Sequence, residues 1–293
     1  MSGQLECRLE DRDGSFLGFS VSQVLCQKHS GLQNIEIVDS PAWGRVLILN
    51  GHQQFTPIDE AYSTEMRAHV PIYSFPHRPS SVLIIAGFSG TCLQELVKHD
   101  CFEEIVTVDL DPVLLDVCKT YFDPINSYAA PYQDPRVKVV IDDGLQYLRR
   151  CQEVGKKFDL IIRSTVVEKI CSDHVKPLSS EGFYYSAQQC LTSEGILMLS
   201  TGIQTLNEQP ARESLLQLRR FFRHAGLFTS TIPSFGQGIW TFTWASSAHQ
   251  LNQIPLATLQ KRFAKHPIPT QIYNPEFHWA SFRLDNFHKL LLR

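Results

Sequence analysis

Asp109 is the residue whose type and placement most clearly suggest chemistry. It ends an apolar run, Ile105-Val106-Thr107-Val108, and lies 22 residues after Gly87. A second run, Val82-Leu83-Ile84-Ile85, breaks into Ala86-Gly87-Phe88-Ser89-Gly90. Between them, Leu93, Leu96 and Val97 give the Thr91–His99 segment one apolar face, as a helix requires. Strand, tight turn, helix, strand and acid is the layout of a dinucleotide or nucleoside site. The carboxylate at the second strand tip can accept from both ribose hydroxyls, and such charge-assisted bonds are strong. The competing reading of Asp109 is a helix cap or a solvated loop acid. Phe88 interrupts the turn where bare backbone is expected. It either walls an apolar acceptor pocket or obstructs the ligand, because a side chain there prevents close backbone approach.

The elements that would position these residues follow an alternating β/α grammar from Ser81 onward. Further strands are expected at Val137–Ile141, Phe158–Ile162 and Ile196–Ser200. Helices are expected at Pro112–Phe122, Leu145–Cys151 and Glu181–Leu191, the first opened by Asp111 as cap with Pro112 in the first turn. Another helix runs from Pro210 to His224, followed by β runs at Phe228–Ile232 and Ile239–Ala245. Before residue 60 the pattern is short and alternating, as in Ile35–Val38 and Gly44–Leu49 before Asn50-Gly51. The expected fold is α/β: a Rossmann-like, seven-stranded, mostly parallel sheet with helices on both faces, preceded by a small N-terminal β domain. The expected division is 1–60 and 61–293.

Composition narrows the function classes. A net charge of −3 argues against a surface that tracks phosphates, so no nucleic-acid partner is expected. The eight cysteines form no C-x-x-C pair and the eleven histidines are scattered, so no metal site is expected. The polar start of the chain reads as no signal peptide, and no apolar run approaches the ~20 residues needed to cross a bilayer. A soluble cytoplasmic protein with no membrane partner is the expectation. Trp240, Phe242 and Trp244 alternate on one strand face, which suits a core or subunit contact better than an aromatic pocket.

Along nearly its whole length the chain resembles the spermidine synthase, or aminopropyltransferase, family. The resemblance is carried by Leu32–Ile35, Gly44–Gln54 with its Asn-Gly-x-x-Gln turn, Asp59-Glu60, Glu65-Met66 and Val82–Gly90. It continues through Val108–Asp111, Asp142–Gly144, Phe158–Ile162, Phe183-Tyr184, Ile232–Phe235 and Tyr273–His278. It implies an N-terminal β domain, a Rossmann-like C-terminal domain, and homodimers or tetramers. The implied reaction moves an aminopropyl group from decarboxylated S-adenosylmethionine to a diamine, leaving methylthioadenosine. By the same resemblance, Gln33 and Gln54 line the sulfonium and ribose region, and Gly87 and Ser89 belong to the glycine loop. Asp109 takes the ribose, and Asp143 with Gly144 reads the adenine amino edge, unless Asp142 shifts that register by one.

The chain departs from the family pattern on the reactive side. The loop Asp that grips the aminopropyl amine is Ser89. The Asp-Ser-x-Asp loop reads Arg163-Ser164-Thr165-Val166-Val167-Glu168, so both its aspartates are lost, at Ser164 and Val167. The diamine-contacting tyrosine is Ser63. Burying a dication needs carboxylates, and an amine nucleophile needs a base to take its proton. The catalytic candidates left in that loop are Arg163, Ser164 and Glu168, with Glu168 usable only if the loop backbone shifts. Arg163 either pairs with the carboxylate of intact S-adenosylmethionine, or it points outward or pairs with a nearby acid such as Glu168. The leading expectation is therefore a diverged methyl- or aminopropyl-type transferase acting on a small-molecule acceptor other than a diamine. A non-catalytic, dimerising or nucleoside-sensing relative and an aminopropyltransferase with a rebuilt acid cluster are the alternatives. Which ligand is held, S-adenosylmethionine, its decarboxylated form or methylthioadenosine, stays open. A homodimer is expected.

Overall fold

The structure is a computed structural model that describes residues 5–10, 16–165, 176–203, 209–235 and 239–292. The chain begins with β1 (Leu5–Glu10) paired to β2 (Phe16–Val21). A four-stranded antiparallel meander follows: β3 (Gln23–His29), β4 (Asn34–Ser40), β5 (Gly44–Leu49) and β6 (His52–Phe55). The turn between β5 and β6 puts Asn50 and Gly51 at positive φ, the conformation that an Asn-Gly hairpin favours. Helix α1 (Ala61–Ser74) then leads into the large sheet.

That sheet contains β7 (Ser81–Ile85), β8 (Glu104–Asp109), β9 (Val137–Ile141), β10 (Phe158–Arg163), β11 (Leu191–Ile203), β12 (His224–Thr231) and β13 (Ile239–Ser246). Its order is β12-β13-β11-β10-β7-β8-β9. The five strands from β11 to β9 are parallel, and β13 runs antiparallel to both of its neighbours. The helices of the α/β part are α2 (Thr91–Leu96), α3 (Pro112–Asn126), α4 (Gly144–Glu153), α5 (Glu181–Gln189) and α6 (Gln209–Phe221). The chain closes with α7 (Leu256–Lys265), α8 (Pro275–Ser281) and α9 (Asn286–Leu290).

The expected Rossmann-like sheet with its small N-terminal β portion is what the chain forms. Alternation along β7 explains why helices are needed on both faces. Val82 and Ile84 join one core with Leu93, Leu96 and Trp244, while Leu83 and Ile85 join another with Leu145, Leu148 and Phe183. Strand order reverses at β7, between β8 on one side and β10 on the other. A crevice outside the carboxyl ends of such strands is where open α/β sheets bind ligands.

Several boundaries differ from the sequence-based expectation. The helix expected to reach His224 ends at Phe221, because His224 already pairs with Ser246 as a strand. Strand β11 spans Leu191–Ile203 rather than Ile196–Ser200, extended at its start by pairing of Leu191 with Phe158 and at its end by pairing of Gly202 and Ile203 with β13. Helix α1 continues through Pro71, and every residue from Thr64 to Ser74 is buried. No helix among the described residues is long and apolar enough to cross a membrane.

One buried acid ties α1 to the C-terminal segment. Glu65 is 1% exposed, and its carboxylate accepts from the backbone N–H groups of Gln271, Ile272 and Tyr273 at 2.7, 2.8 and 2.7 Å. Replacing Glu65 by Ala removes the acceptor of three backbone N–H groups, of which that of Tyr273 is buried. The expected loss is on the order of 3 kcal/mol of unfolding free energy, read as a lower midpoint in urea.

Candidate active site

Two adjoining cavities open at the carboxyl ends of β7, β8 and β10. The first is lined by Gln33 and Gln54 from the N-terminal sheet, Ala86 and Ser89 from the turn after β7, and Asp109 and Asp111 after β8. Asp142, Asp143 and Gly144 complete it after β9, with Ser164 and Thr165 after β10. Each acid is held by the backbone it serves. Asp109 accepts from the N–H groups of Phe88 (3.2 Å) and Leu110 (2.8 Å). Burial pushes its carboxyl up to about 6, against the opposing pull of these N–H groups. Asp111 caps α3 through Val113 and Leu114, and it accepts from Gln33 Nε2 at 2.7 Å. Asp143 caps α4 through Gln146 at 2.8 Å, whereas Asp142 is ion-paired to Arg150. The two neighbouring acids thus have different commitments, and both face the cavity.

The glycines act through space. A Cβ on Gly144 would sit 2.4 Å from Ile85 Cγ2, so α4 can start against β7 only with glycine there. A Cβ on Gly87 would meet Thr107 Oγ1 at 2.6 Å; Gly87 packs the turn onto β8 and does not itself line the cavity.

The second cavity lies beside the first, and Gln54, Ser89, Ser164 and Thr165 line both. Its other walls are Gln53, Asp59, Glu60, Ser63, Thr64, Arg67 and Thr91, with Phe55, Ile232, Phe235 and Trp240 as apolar surface. Two carboxylates therefore enter it from the start of α1. Burial, followed by the nearby charge of Glu95, pushes the Glu60 carboxyl up to about 8; the Arg67 guanidinium opposes the shift. Burial also raises Asp59 above the usual carboxylate range, offset in part by its bonds from Ser234. The guanidinium of Arg67 donates to the Ser164 carbonyl (2.9 Å) and to Ser200 Oγ (3.2 Å), fixing the chain just after β10.

Several expectations are corrected by these contacts. Arg163 lines neither cavity. It is 3% exposed, donates to the carbonyls of Leu178 (2.7 Å) and Ser200 (3.2 Å), and lies over the Phe183 ring. Arg163 is therefore buried rather than outward-pointing, and its described hydrogen bonds go to backbone carbonyls rather than into the first cavity; pairing with Glu168 falls outside the described residues. Phe88 neither walls the second cavity nor obstructs the first. Its ring is fully buried in the apolar cluster formed by the N-terminal sheet, α3 and Tyr128, because the turn rotates it away from the strand ends. Trp240 and Trp244 share the same core, as their alternation implied, but Trp240 also reaches the second cavity. Glu168 lies outside the described residues.

Asp59 and Glu60 were missed as site residues. An acidic pair opening a helix reads as capping or dipole chemistry, and its signal was present only as part of the resemblance. Gln53 was missed because Gln54 carried the motif.

Replacing Arg163 by Met tests its structural role. Two buried carbonyls lose their donor, so stability is expected to fall on the order of 1–3 kcal/mol. The ratio of affinities for intact and decarboxylated S-adenosylmethionine should stay unchanged in calorimetric titration, whereas a carboxylate reader would alter it.

Comparison with known proteins gives a consistent picture. Residues 60–255 match the spermine/spermidine synthase domain, and residues 8–56 match the spermidine synthase tetramerisation domain. A polyamine aminopropyltransferase of Serratia proteamaculans is 35% identical over 272 residues, covering 92% of this chain and 91% of the relative. One from Yersinia pestis is 35% identical over the same length, covering 92% and 88%. Among solved structures, a spermidine synthase in complex with the transition-state analogue AdoDATO superposes with a TM-score of 0.90 at 25% identity, covering 99% of this chain and 95% of that one. Spermidine synthase from Thermotoga maritima gives 0.86 at 25% identity, covering 99% and 94%. These matches overturn the expectation of a transferase diverged away from diamines, since the relatives are named for polyamine aminopropyl transfer. They give no support to intact S-adenosylmethionine as the ligand. The chain belongs to the spermine/spermidine synthase family and is a transferase.

Proposed function

We propose that this protein transfers the aminopropyl group of decarboxylated S-adenosylmethionine to a primary amine of a polyamine acceptor, leaving methylthioadenosine. The observation that carries the reading is the meeting of the two cavities at Gln54, Ser89, Ser164 and Thr165, with carboxylates on both sides of that junction. The first cavity suits a nucleoside: Asp109 would hold the ribose, assisted by Gln33 and Gln54, and Asp143 with Gly144 would face the adenine. The second suits a cationic amine, because Asp59 and Glu60 offset the hydration that a cation loses on burial. The donor supplies an electrophilic carbon next to a sulfonium. The amine lone pair forms the new C–N bond at that carbon as the C–S bond breaks, the sulfur keeps the bonding pair, and the amine must release a proton. Glu60, with its carboxyl near 8, is the group placed to accept it. With the loop aspartates absent, this reading leaves the amine to Asp59 and Glu60, a pair that the chain shares with the family pattern.

We further propose that residues 1–60 serve assembly into a multimer and 61–293 catalysis. The match of 8–56 to a tetramerisation domain supports this division.

Incubation with decarboxylated S-adenosylmethionine and 1,4-diaminobutane should yield methylthioadenosine and an aminopropylated amine, detected by mass spectrometry. Intact S-adenosylmethionine should yield neither, and a methylated product would overturn the reading. Asp109→Asn should weaken methylthioadenosine binding by about 1–3 kcal/mol in calorimetry. Affinity in the parent protein should fall as pH drops through about 6, where Asp109 takes up a proton and loses acceptor capacity. The acid limb of kcat/KM for the amine should rise through about 8 as Glu60 ionises, and Glu60→Gln should lower kcat and remove that limb.

A further inference from the structure

The portion of the second cavity not shared with the first is backed by a chain of buried polar groups with a fixed hydrogen-bond direction, in which Gln53 and Asp59 line the cavity and Ser234 lies behind them. Ser234 is fully buried, and its backbone N–H donates to Asp59 Oδ2 at 2.6 Å. The Ser234 hydroxyl donates to Asp59 Oδ1 at 3.1 Å. An ionised carboxylate can only accept, so the single hydroxyl proton is committed there. Ser234 Oγ must then accept from its other neighbour, and it does: Gln53 Nε2 donates to it at 2.7 Å. The orientation of the Gln53 amide follows from this sequence of donors. Its NH2 faces Ser234 and its carbonyl oxygen faces away.

That oxygen has no partner among the described residues, although Gln53 is only 5% exposed and lines the cavity. A buried carbonyl left unpaired costs free energy, and it is an acceptor waiting for a donor. Beside it, Ile232, Phe235 and Trp240 provide apolar wall. A linear amine has the matching chemistry: a methylene chain for the apolar wall and N–H groups at its ends.

We infer that Gln53 Oε1 accepts an N–H of the acceptor's non-reacting amine, so that Gln53, buttressed by Ser234 and Asp59, sets the length of amine the enzyme uses. The inference rests on the aminopropyl-transfer reading. It makes Gln53 a specificity-determining residue that acts at the end of the acceptor remote from the donor.

The test is steady-state kinetics with linear diamines of three, four and five methylenes, in the parent protein and in Gln53→Met and Gln53→Asn. Gln53→Met keeps the side-chain length but removes the oxygen; it should raise the acceptor KM about tenfold and leave the donor KM unchanged. Its preference among chain lengths should flatten. Gln53→Asn keeps an amide but withdraws it by one methylene, so the preferred diamine should become longer. An unchanged length preference in both variants, or donor and acceptor KM rising together, overturns the assignment while leaving aminopropyl transfer intact. A parent protein inactive with every diamine overturns the aminopropyl-transfer reading, and the assignment with it.

Discussion

The guanidinium of Arg67 is fixed by three parts of the chain at once. It donates to the Ser164 carbonyl after β10, to Ser200 Oγ on β11, and to Thr91 Oγ1 at the start of α2. A cation this deeply buried depends on hydrogen bonds and nearby negative charge, and here both terminal nitrogens are bonded. The bonds align three elements of the sheet around the second cavity. Glu60, about two helical turns earlier, lies close enough for the Arg67 charge to oppose the rise of its carboxyl, and Asp59 lines the same cavity. The same electrostatic requirement therefore positions the loop after β10 and retains carboxylates where a cationic substrate would sit. Most features of the site depend on this arrangement.

The first cavity follows a related logic at its carboxylates. Asp109, Asp111 and Asp143 each accept backbone N–H groups at a strand end or helix start, so they are rigid before any ligand arrives. Rigid acceptors lose little entropy on binding, which is the benefit of preorganisation. Gln33 is drawn into the same set through Asp111, so the N-terminal sheet contributes to a cavity built mainly by the α/β sheet. The apolar cluster containing Phe88, Phe55, Phe122 and Tyr128 joins those two parts mechanically. The residue that seemed most disruptive in the turn is thus part of what holds the site together.

Losing the acids of one loop does not empty the neighbouring cavity of carboxylates. Ser164 stands where an acid was expected, yet the cavity it lines retains two carboxylates, Asp59 and Glu60, from the residues just before α1. What the reaction requires is negative charge and a proton acceptor at a place in space, not at a place in sequence. Tallying losses along one loop therefore overstated the change in function. The matches to polyamine aminopropyltransferases, 35% identical over most of the chain, correct that inference.

Strand and helix order, the doubly covered sheet, the acid at the tip of β8 and the cap at Asp111 were all legible in the sequence. Each depends on local pattern: an apolar run of strand length, an Asp-Pro helix start, and a carboxylate at a fixed distance from a turn. Three features were not legible. The direction of the Phe88 side chain, the carbonyl partners of Arg163, and the arrival of Gln53, Asp59 and Glu60 beside Ser164 are set by contacts between residues far apart in the chain. Periodicity specifies which face of an element is apolar, but it carries no information about which distant backbone carbonyl a guanidinium will reach. Sequence alone determined the scaffold and the acids at the strand ends. The tertiary structure decided which charges share a cavity, because long-range packing sets the distances on which electrostatics depends.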